Sequence, residues 1–360
     1  MSTDITDLDT PALLVDLDIM EANIARTAQT CRDAGVAWRP HIKGQKTPEI
    51  VMKELAAGAI GATCAKLGEA EIMAAAGITD LLIANQIVGA PKVARLIALL
   101  DQADVKVACD STANANALGA AAAKAGKTLG IVIEVNTGMN RAGTEPGEAT
   151  IALAKHIAAT PGLTLRGVMG WEAHTIAMPN QAEKQTAIAA AIAKLVATAN
   201  AIREAGIACE IVSCGGTGSY PYCAQQPGVT EIQAGGLIFS DELYRTRFGL
   251  DFPQALTVLA TVTSRPNPTR IILDAGKKAM SSDAAPPRPV GLKSSTPVAL
   301  SAEHTTVILD EPSETPRVGD KVQFVVGYSD TTVHLHEKIH GTRAGRVDQS
   351  WTVQARGRIS

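Results

Sequence analysis

The chain has 360 residues, 46% of them hydrophobic and 19% charged, and 33 Lys+Arg face 36 Asp+Glu for a formal net charge of −3. Such a composition belongs to a globular protein with material for a large core, enough for one barrel-sized domain and a smaller partner. It lacks the basic footprint of a nucleic-acid binder, and no apolar run is expected to reach the length of a membrane helix.

In chain order, β-branched runs at 12–17, 37–43, 60–66, 80–86, 106–110, 129–135, 165–171, 210–216 and 231–240 predict strands. Ala-rich stretches at 18–35, 47–57, 67–76, 92–100, 111–126, 148–160 and 181–206 predict the helices between them. Strand–helix alternation means right-handed βαβ units and a parallel sheet. About eight units in this length favour a closed (β/α)8 TIM-like barrel over an open doubly wound sheet. The texture changes after Phe248, where prolines become frequent. Short runs at 256–264, 269–273, 297–301, 305–309, 321–326, 332–336, 339–343 and 346–354 then predict a C-terminal antiparallel β domain. The N-terminus MSTDITDLDT is polar and acidic, and Cys31, Cys64, Cys109, Cys209, Cys214 and Cys223 are scattered without a CxxC pair. They are expected as reduced core thiols of a cytoplasmic protein.

Three segments carry candidate chemistry. Lys43 ends the run Arg39-Pro40-His41-Ile42-Lys43. A lysine at the carboxyl end of a barrel strand can act as an amine nucleophile or simply sit on the surface. Cys214-Gly215-Gly216-Thr217-Gly218-Ser219-Tyr220 follows a strand and reads either as a phosphate-binding loop or as a turn. It has neither the GxGxxG nor the Walker A pattern. Gly235-Gly236 could close the same cradle. Arg141, in Gly138-Met139-Asn140-Arg141-Ala142-Gly143, can pair with an oxyanion or with a structural carboxylate. An amine, an arginine and two Gly-rich loops on one barrel rim are the parts that a phosphate-bearing aldehyde cofactor, pyridoxal 5'-phosphate, requires.

The same residues carry a resemblance. Together with Thr10-Pro11-Ala12, Glu231-Ile232-Gln233-Ala234-Gly235 and Asp274-Ala275-Gly276-Lys277-Lys278-Ala279, they resemble, in preserved order, the D-threonine aldolase/D-serine dehydratase family. These are fold-type III, alanine racemase-like pyridoxal-phosphate enzymes. The resemblance implies that Lys43 is the Schiff-base lysine. It assigns Gly216, Thr217, Gly218, Ser219, Tyr220, Gly235 and Gly236 to the cofactor, Arg141 to its phenolic oxygen or to a substrate carboxylate, and Gln233 to the pyridine nitrogen. It places residues 1–17 with 251–360 in the β domain, leaves 18–250 as the barrel, and implies a homodimer.

His41 is expected as a base or a packed support beside Lys43. Trp171 stands where the family usually has Tyr and is expected against the cofactor, and His174 is a candidate base for a substrate hydroxyl. The family binds a divalent metal through the first and third residues of His-Cys-Asp, or of His-x-Cys in the dehydratases. Here those positions are Tyr328 and Asp330. A weak Mg²⁺ or Mn²⁺ at Asp330 is the expectation, with a metal-free role for Tyr328 as the alternative. His334 and His336 would share a face if their segment were a strand. The expected activity is retro-aldol cleavage of a D-configured β-hydroxy-α-amino acid to glycine and an aldehyde. The alternatives are dehydration to a 2-oxo acid, racemisation, and a cofactor-holding protein without turnover.

Overall fold

The computed structural model describes residues 3–360. The chain opens with β1 (Ala12–Asp16) and α1 (Leu17–Asp33). It continues through β2 (Ala37–Trp38), α2 (Pro48–Ala56), β3 (Ala62–Cys64), α3 (Leu67–Ala75), β4 (Asp80–Gln86) and α4 (Ala90–Leu99). Next come β5 (Asp104–Cys109), α5 (Thr112–Lys124), β6 (Leu129–Glu134), α6 (Glu148–Ala159), β7 (Leu163–Met169), α7 (Gln181–Glu204), β8 (Ile211–Cys214), α8 (Tyr220–Cys223) and β9 (Glu231–Ile232). Local signals set several of these ends. Ser111 caps α5 by accepting from the Asn114 N–H, and Asn180 caps α7 by accepting from Ala182 and Glu183.

Strands β2 to β9 form one parallel sheet in the order β2-β9-β8-β7-β6-β5-β4-β3. A parallel bridge between His41 and Thr63 joins its two ends and closes the barrel. The alternating ladder of residues 37–42 explains the closure. The N–H groups of Ala37, Arg39 and His41 reach Thr230, Ile232 and Gln233, while Pro40 O accepts from Thr63 and the Ile42 N–H donates to Thr63. Pro40, which has no N–H, sits on the edge where only its carbonyl is used. Inside the barrel, Leu82, Ala108, Val132, Met169 and Ile211 supply one buried side chain from each of five neighbouring strands. At the amino-terminal ends of the strands, buried Arg39 pairs with Glu231 at 3.2 Å and Asp80 at 2.6 Å, and Lys106 bonds Asp104 at 2.6 Å.

An apolar helix of membrane-spanning length, not expected from the sequence, is present. Helix α7 is long and apolar enough to cross a membrane by length and composition. In the fold it packs on β7 and β8 through Ile188, Ile192, Leu195 and Ile202.

The second sheet contains β1 together with β10 (Leu256–Asn267), β11 (Arg270–Leu273), β12 (Arg288–Pro289), β13 (Ala299–Leu300), β14 (Thr305–Ile308), β15 (Lys321–Val325), β16 (Lys338–Arg343) and β17 (Arg346–Thr352). β1 pairs antiparallel with β10 and parallel with β16; every other pairing in this sheet is antiparallel. The first strand therefore belongs with the C-terminal sheet.

Two compact units divide the chain. One gathers the N-terminal segment through Ala25, Gly44–Glu49 and Gly236–Gly357; the other comprises Arg26–Lys43, Ile50–Gly235 and Arg358–Ser360. The division thus falls at Gly236, earlier than residue 250. After β9 the chain leaves the sheet for helix α9 (Glu242–Arg247), whose first N–H groups donate to Val326 and Gly327 of the β unit. The run 332–336, expected as a strand, is instead helical: α10 (Ser329–Thr332) is followed by a 3-10 turn, Val333–Leu335.

Candidate active site

In the barrel unit, two sequence-predicted residues converge on the indole of a third. Trp171 lies just past β7, with Lys43 Nζ 5.6 Å and the Arg141 guanidinium carbon 5.0 Å from its ring centroid. Lys43 follows the closing bridge, and His41 supports its backbone, since His41 Nδ1 accepts the Lys43 N–H at 3.4 Å. Gln233 donates to Ser213 Oγ at 2.9 Å and stands beside Met169 on the inner face of the barrel. His174 is exposed and covers Gly138: a Cβ there would lie 2.8 Å from His174 Nε2, so the Arg141 loop needs glycine beneath the imidazole.

The loop after β8 fits a phosphate cradle at its first residues. Gly215 has φ +78°, a conformation that favours glycine, and a Cβ on Gly216 would meet Trp171 Nε1 at 2.6 Å. The Ser219 and Tyr220 N–H groups both donate to the Gly216 carbonyl. Among the described residues, the N–H groups of Gly216 and Gly218 have no acceptor, which leaves them for an anion.

The side chains of the next two residues turn elsewhere, against the expectation that they hold the cofactor. Buried Ser219 donates to the buried Glu172 carboxylate, and buried Tyr220 faces Thr27 and Thr30 of α1, where burial pushes its phenol up. Gly235 and Gly236 also have a packing reason, since side chains there would strike the His41 carbonyl and the Tyr244 hydroxyl respectively.

Sequence reading missed Glu172 and the acidic network under Arg141. Glu134 accepts from Gln86 at 2.6 Å and faces Arg141 at 3.5 Å; Asp110 accepts from Gln86 and from the Gly143 N–H. Their signal was available: Gln86 and Glu134 each end an apolar strand on the face where barrel sites form, and Asp110 directly follows one.

In the β unit, Tyr328, Asp330 and Asp241 form a second cluster. Asp241 caps α9 through Tyr244 N–H at 2.9 Å and accepts both the N–H and the hydroxyl of Ser329 at 2.9 Å. Burial outweighs these donors and pushes its carboxyl up to about 7. The Tyr328 ring stands edge-on to Tyr244, with centroids 5.9 Å apart, and its hydroxyl donates to Asp330 Oδ2 at 2.7 Å. Burial, reinforced by Asp330, raises the Tyr328 pKa and keeps the phenol protonated. Asp330 Oδ1 packs against Gly44, the residue after Lys43, where a Cβ would lie 2.7 Å from it.

For the expected Mg²⁺ or Mn²⁺ this cluster offers the Asp330 carboxylate and no imidazole, so water and substrate oxygens would have to complete the shell. The helical turn separates the histidines: His334 Nδ1 lies 3.3 Å from the Asp330 carbonyl, and His336 Nε2 lies 2.6 Å from that of Ala279. Among the described residues, no three His, Cys, Asp or Glu side chains are grouped to hold a metal ion.

A closed parallel barrel with a lysine, an arginine and a glycine cradle around one aromatic ring defines an alanine racemase-like pyridoxal-phosphate enzyme. The alanine racemase N-terminal domain matches residues 15–242, and a "Putative serine dehydratase domain" matches 255–342. The chain belongs to this family, in its D-threonine aldolase/D-serine dehydratase branch. It is 36% identical to a D-threonine aldolase of an Arthrobacter species over 97% of this chain and 93% of that one. It is 33% identical to the 3-hydroxy-D-aspartate aldolase of Paracoccus denitrificans, over 99% and 94%. The crystal structure of D-threonine aldolase from Filomicrobium marinum superposes with a TM-score of 0.95 at 32% identity, covering 100% of this chain and 99% of that one.

Proposed function

We propose that the chain is a lyase that cleaves a D-configured β-hydroxy-α-amino acid, of the D-threonine or 3-hydroxy-D-aspartate type, to glycine and an aldehyde. The observation that carries this reading is the convergence of Lys43 and Arg141 on Trp171 at the barrel rim, 5.6 and 5.0 Å from its ring. The two aldolase relatives, each matched over more than nine-tenths of both chains, support it. Bound pyridoxal phosphate would supply the carbonyl that captures an amine and an electron sink for the pair left when the Cα–Cβ bond breaks.

The chain's own residues then have distinct tasks. Lys43 offers the amine, held in place through its backbone by His41. The N–H groups of Gly216 and Gly218, with Thr217 between them, would hold the phosphate, and Trp171 would wall the site. Arg141 supplies positive charge for an oxyanion, with Glu134 limiting its swing. Gln233 offers a neutral amide, so toward a ring nitrogen it would contribute hydrogen bonding without a full charge. His174, exposed at the same rim, is the base available to a β-hydroxyl group. Aldol cleavage is preferred to dehydration because Asp330 retains the acidic residue of the aldolase pattern.

A cytoplasmic homodimer belongs to the same reading. The six free, buried cysteines support the cytoplasmic setting, and sedimentation of the purified protein tests the dimer. The activity is tested by supplying D-threonine, D-serine and 3-hydroxy-D-aspartate and measuring aldehyde plus glycine against 2-oxo acid plus ammonia. Aldehyde with equimolar glycine is the expected outcome. Formation of 2-oxo acid makes the enzyme a dehydratase, inversion at Cα alone makes it a racemase, and inertness with all three sinks the lyase reading.

A further inference from the structure

We propose that Gln86 is a positioning residue for Arg141: by bonding the Glu134 carboxylate it keeps Glu134 from closing on the guanidinium as a tight ion pair, which leaves Arg141 available to a ligand oxyanion. The proposal rests on the reading of Arg141 given above and deepens it.

Gln86 ends β4, Asp110 directly follows β5 and Glu134 ends β6, so three neighbouring strands bring one amide and two carboxylates to the same rim of the barrel. The Gln86 side-chain nitrogen donates to Glu134 Oε2 at 2.6 Å and to Asp110 Oδ2 at 3.2 Å. Two carboxylates facing one amide fix which way it points, because its oxygen could donate to neither. Asp110 Oδ2 also accepts the Gly143 N–H at 3.1 Å, and the Glu134 carbonyl accepts the Thr144 N–H at 2.9 Å. One amide therefore holds both carboxylates that touch the Arg141 loop.

The contact between Glu134 and Arg141 is long for a charged pair. Among the described residues it runs from one guanidinium nitrogen, Nη2, to Oε1 at 3.5 Å. An arginine free to engage a carboxylate closes on it through two parallel bonds at about 2.7–2.9 Å. Glu134 is restrained from doing so, since its Oε2 is on Gln86 and its carbonyl is on Thr144. The guanidinium carbon lies instead 5.0 Å from the Trp171 ring centroid, and the arginine side chain is 52% exposed. Removing the amide strips a donor from buried Glu134 and makes the two-bonded pair with Arg141 the better arrangement, at the expense of the ligand.

The test compares wild type with Gln86→Met, which keeps the length of the side chain without its donors. It adds Gln86→Met/Glu134→Gln, whose neutral amide cannot draw the guanidinium in. Three readings are taken: the crystal structure of Gln86→Met, the dissociation constant of pyridoxal phosphate for the stripped chain by equilibrium dialysis, and KM and kcat of the loaded enzyme for the best of the three amino acids named above. Gln86→Met should show Glu134 on Arg141 through two bonds at about 2.8 Å. If the oxyanion is the cofactor's phenolic oxygen, cofactor binding should weaken about tenfold. If it is a substrate carboxylate, KM should rise about tenfold with kcat within about threefold. The double variant should return the affected constant to within about threefold of wild type, a rescue that lost packing alone would not give. Where Gln86→Met folds poorly, Gln86→Ala removes the same donors with less demand on packing. A Glu134–Arg141 contact still at 3.5 Å, both constants unchanged, or a double variant as impaired as the single one would each overturn the proposal. If no amino acid turns over, the lyase reading fails, and the structure of the Gln86 variant still decides whether this amide holds Glu134 off Arg141.

Discussion

Ser219 gives its hydroxyl hydrogen to Glu172, and both side chains are fully buried. Glu172 follows Trp171 in the chain, so one carboxylate ties the turn beneath the phosphate cradle to the strand end that carries the indole. A buried carboxylate with so few donors depends heavily on the one it has: among the described residues its Oε2 has no hydrogen-bond partner.

Ser219→Ala should therefore destabilise the protein by about 1–3 kcal/mol and weaken cofactor retention, because it strands the Glu172 carboxylate. Denaturant titration and equilibrium dialysis against pyridoxal phosphate measure both effects. Unchanged values in the two assays would remove Ser219 from any supporting role.

Gly216→Ala sets a Cβ against Trp171 Nε1 at 2.6 Å and should weaken cofactor binding. If that clash is the cause, Trp171→Phe should recover part of the loss in the double variant, a coupling that independent sites would not show. A purely additive result would mean that Gly216 acts through the phosphate alone.

Arg39 and Glu231 are 2% and 3% exposed, and Glu231→Ala should cost about 3 kcal/mol by leaving the guanidinium on Asp80 alone. Thermal unfolding would register it as a clear fall in Tm. A loss below about 1 kcal/mol would show that water reaches this ionic layer.

His336 makes stability depend on acid. Burial lowers its pKa below the ordinary 6.5, so the unfolded chain takes up the proton first as pH falls. Its contribution is complete above about pH 6.5 and is lost as pH drops through that value towards the folded-state pKa. His336→Gln, which can still donate to the Ala279 carbonyl, should flatten the stability profile between about pH 7 and 5. Wild type and variant with parallel profiles would contradict the assignment.

The barrel was legible because its signals are local. Strand Asp80–Gln86 and the starts of the helices at Leu67, Glu148 and Gln181 coincide with runs of alternating or Ala-rich sequence that end in turns. Lys43, Arg141 and Trp171 could be nominated from their places at strand ends, and the structure brings them around one ring. What stayed hidden depends on contacts distant in sequence. The strand expected at 231–240 stops at Ile232, and Gly236–Ile238 forms a 3-10 turn because close packing on His41 and Tyr244 demands the glycine pair. The segment 332–336 alternates like a strand, yet it follows a helical turn begun by Ser329, which Asp241 fixes from 88 residues away. Glu172 gives no periodic signal, since its partner Ser219 lies 47 residues along the chain.

Whether Lys43 carries the cofactor is decided by borohydride reduction of the purified holoenzyme followed by peptide mapping by mass spectrometry. The reduced pyridoxyl group should be found on Lys43, and Lys43→Ala should show no lysine-bound cofactor absorbance. Label on Lys46 or Lys278 in place of Lys43, or a Lys43→Ala variant that keeps the visible band, would contradict it.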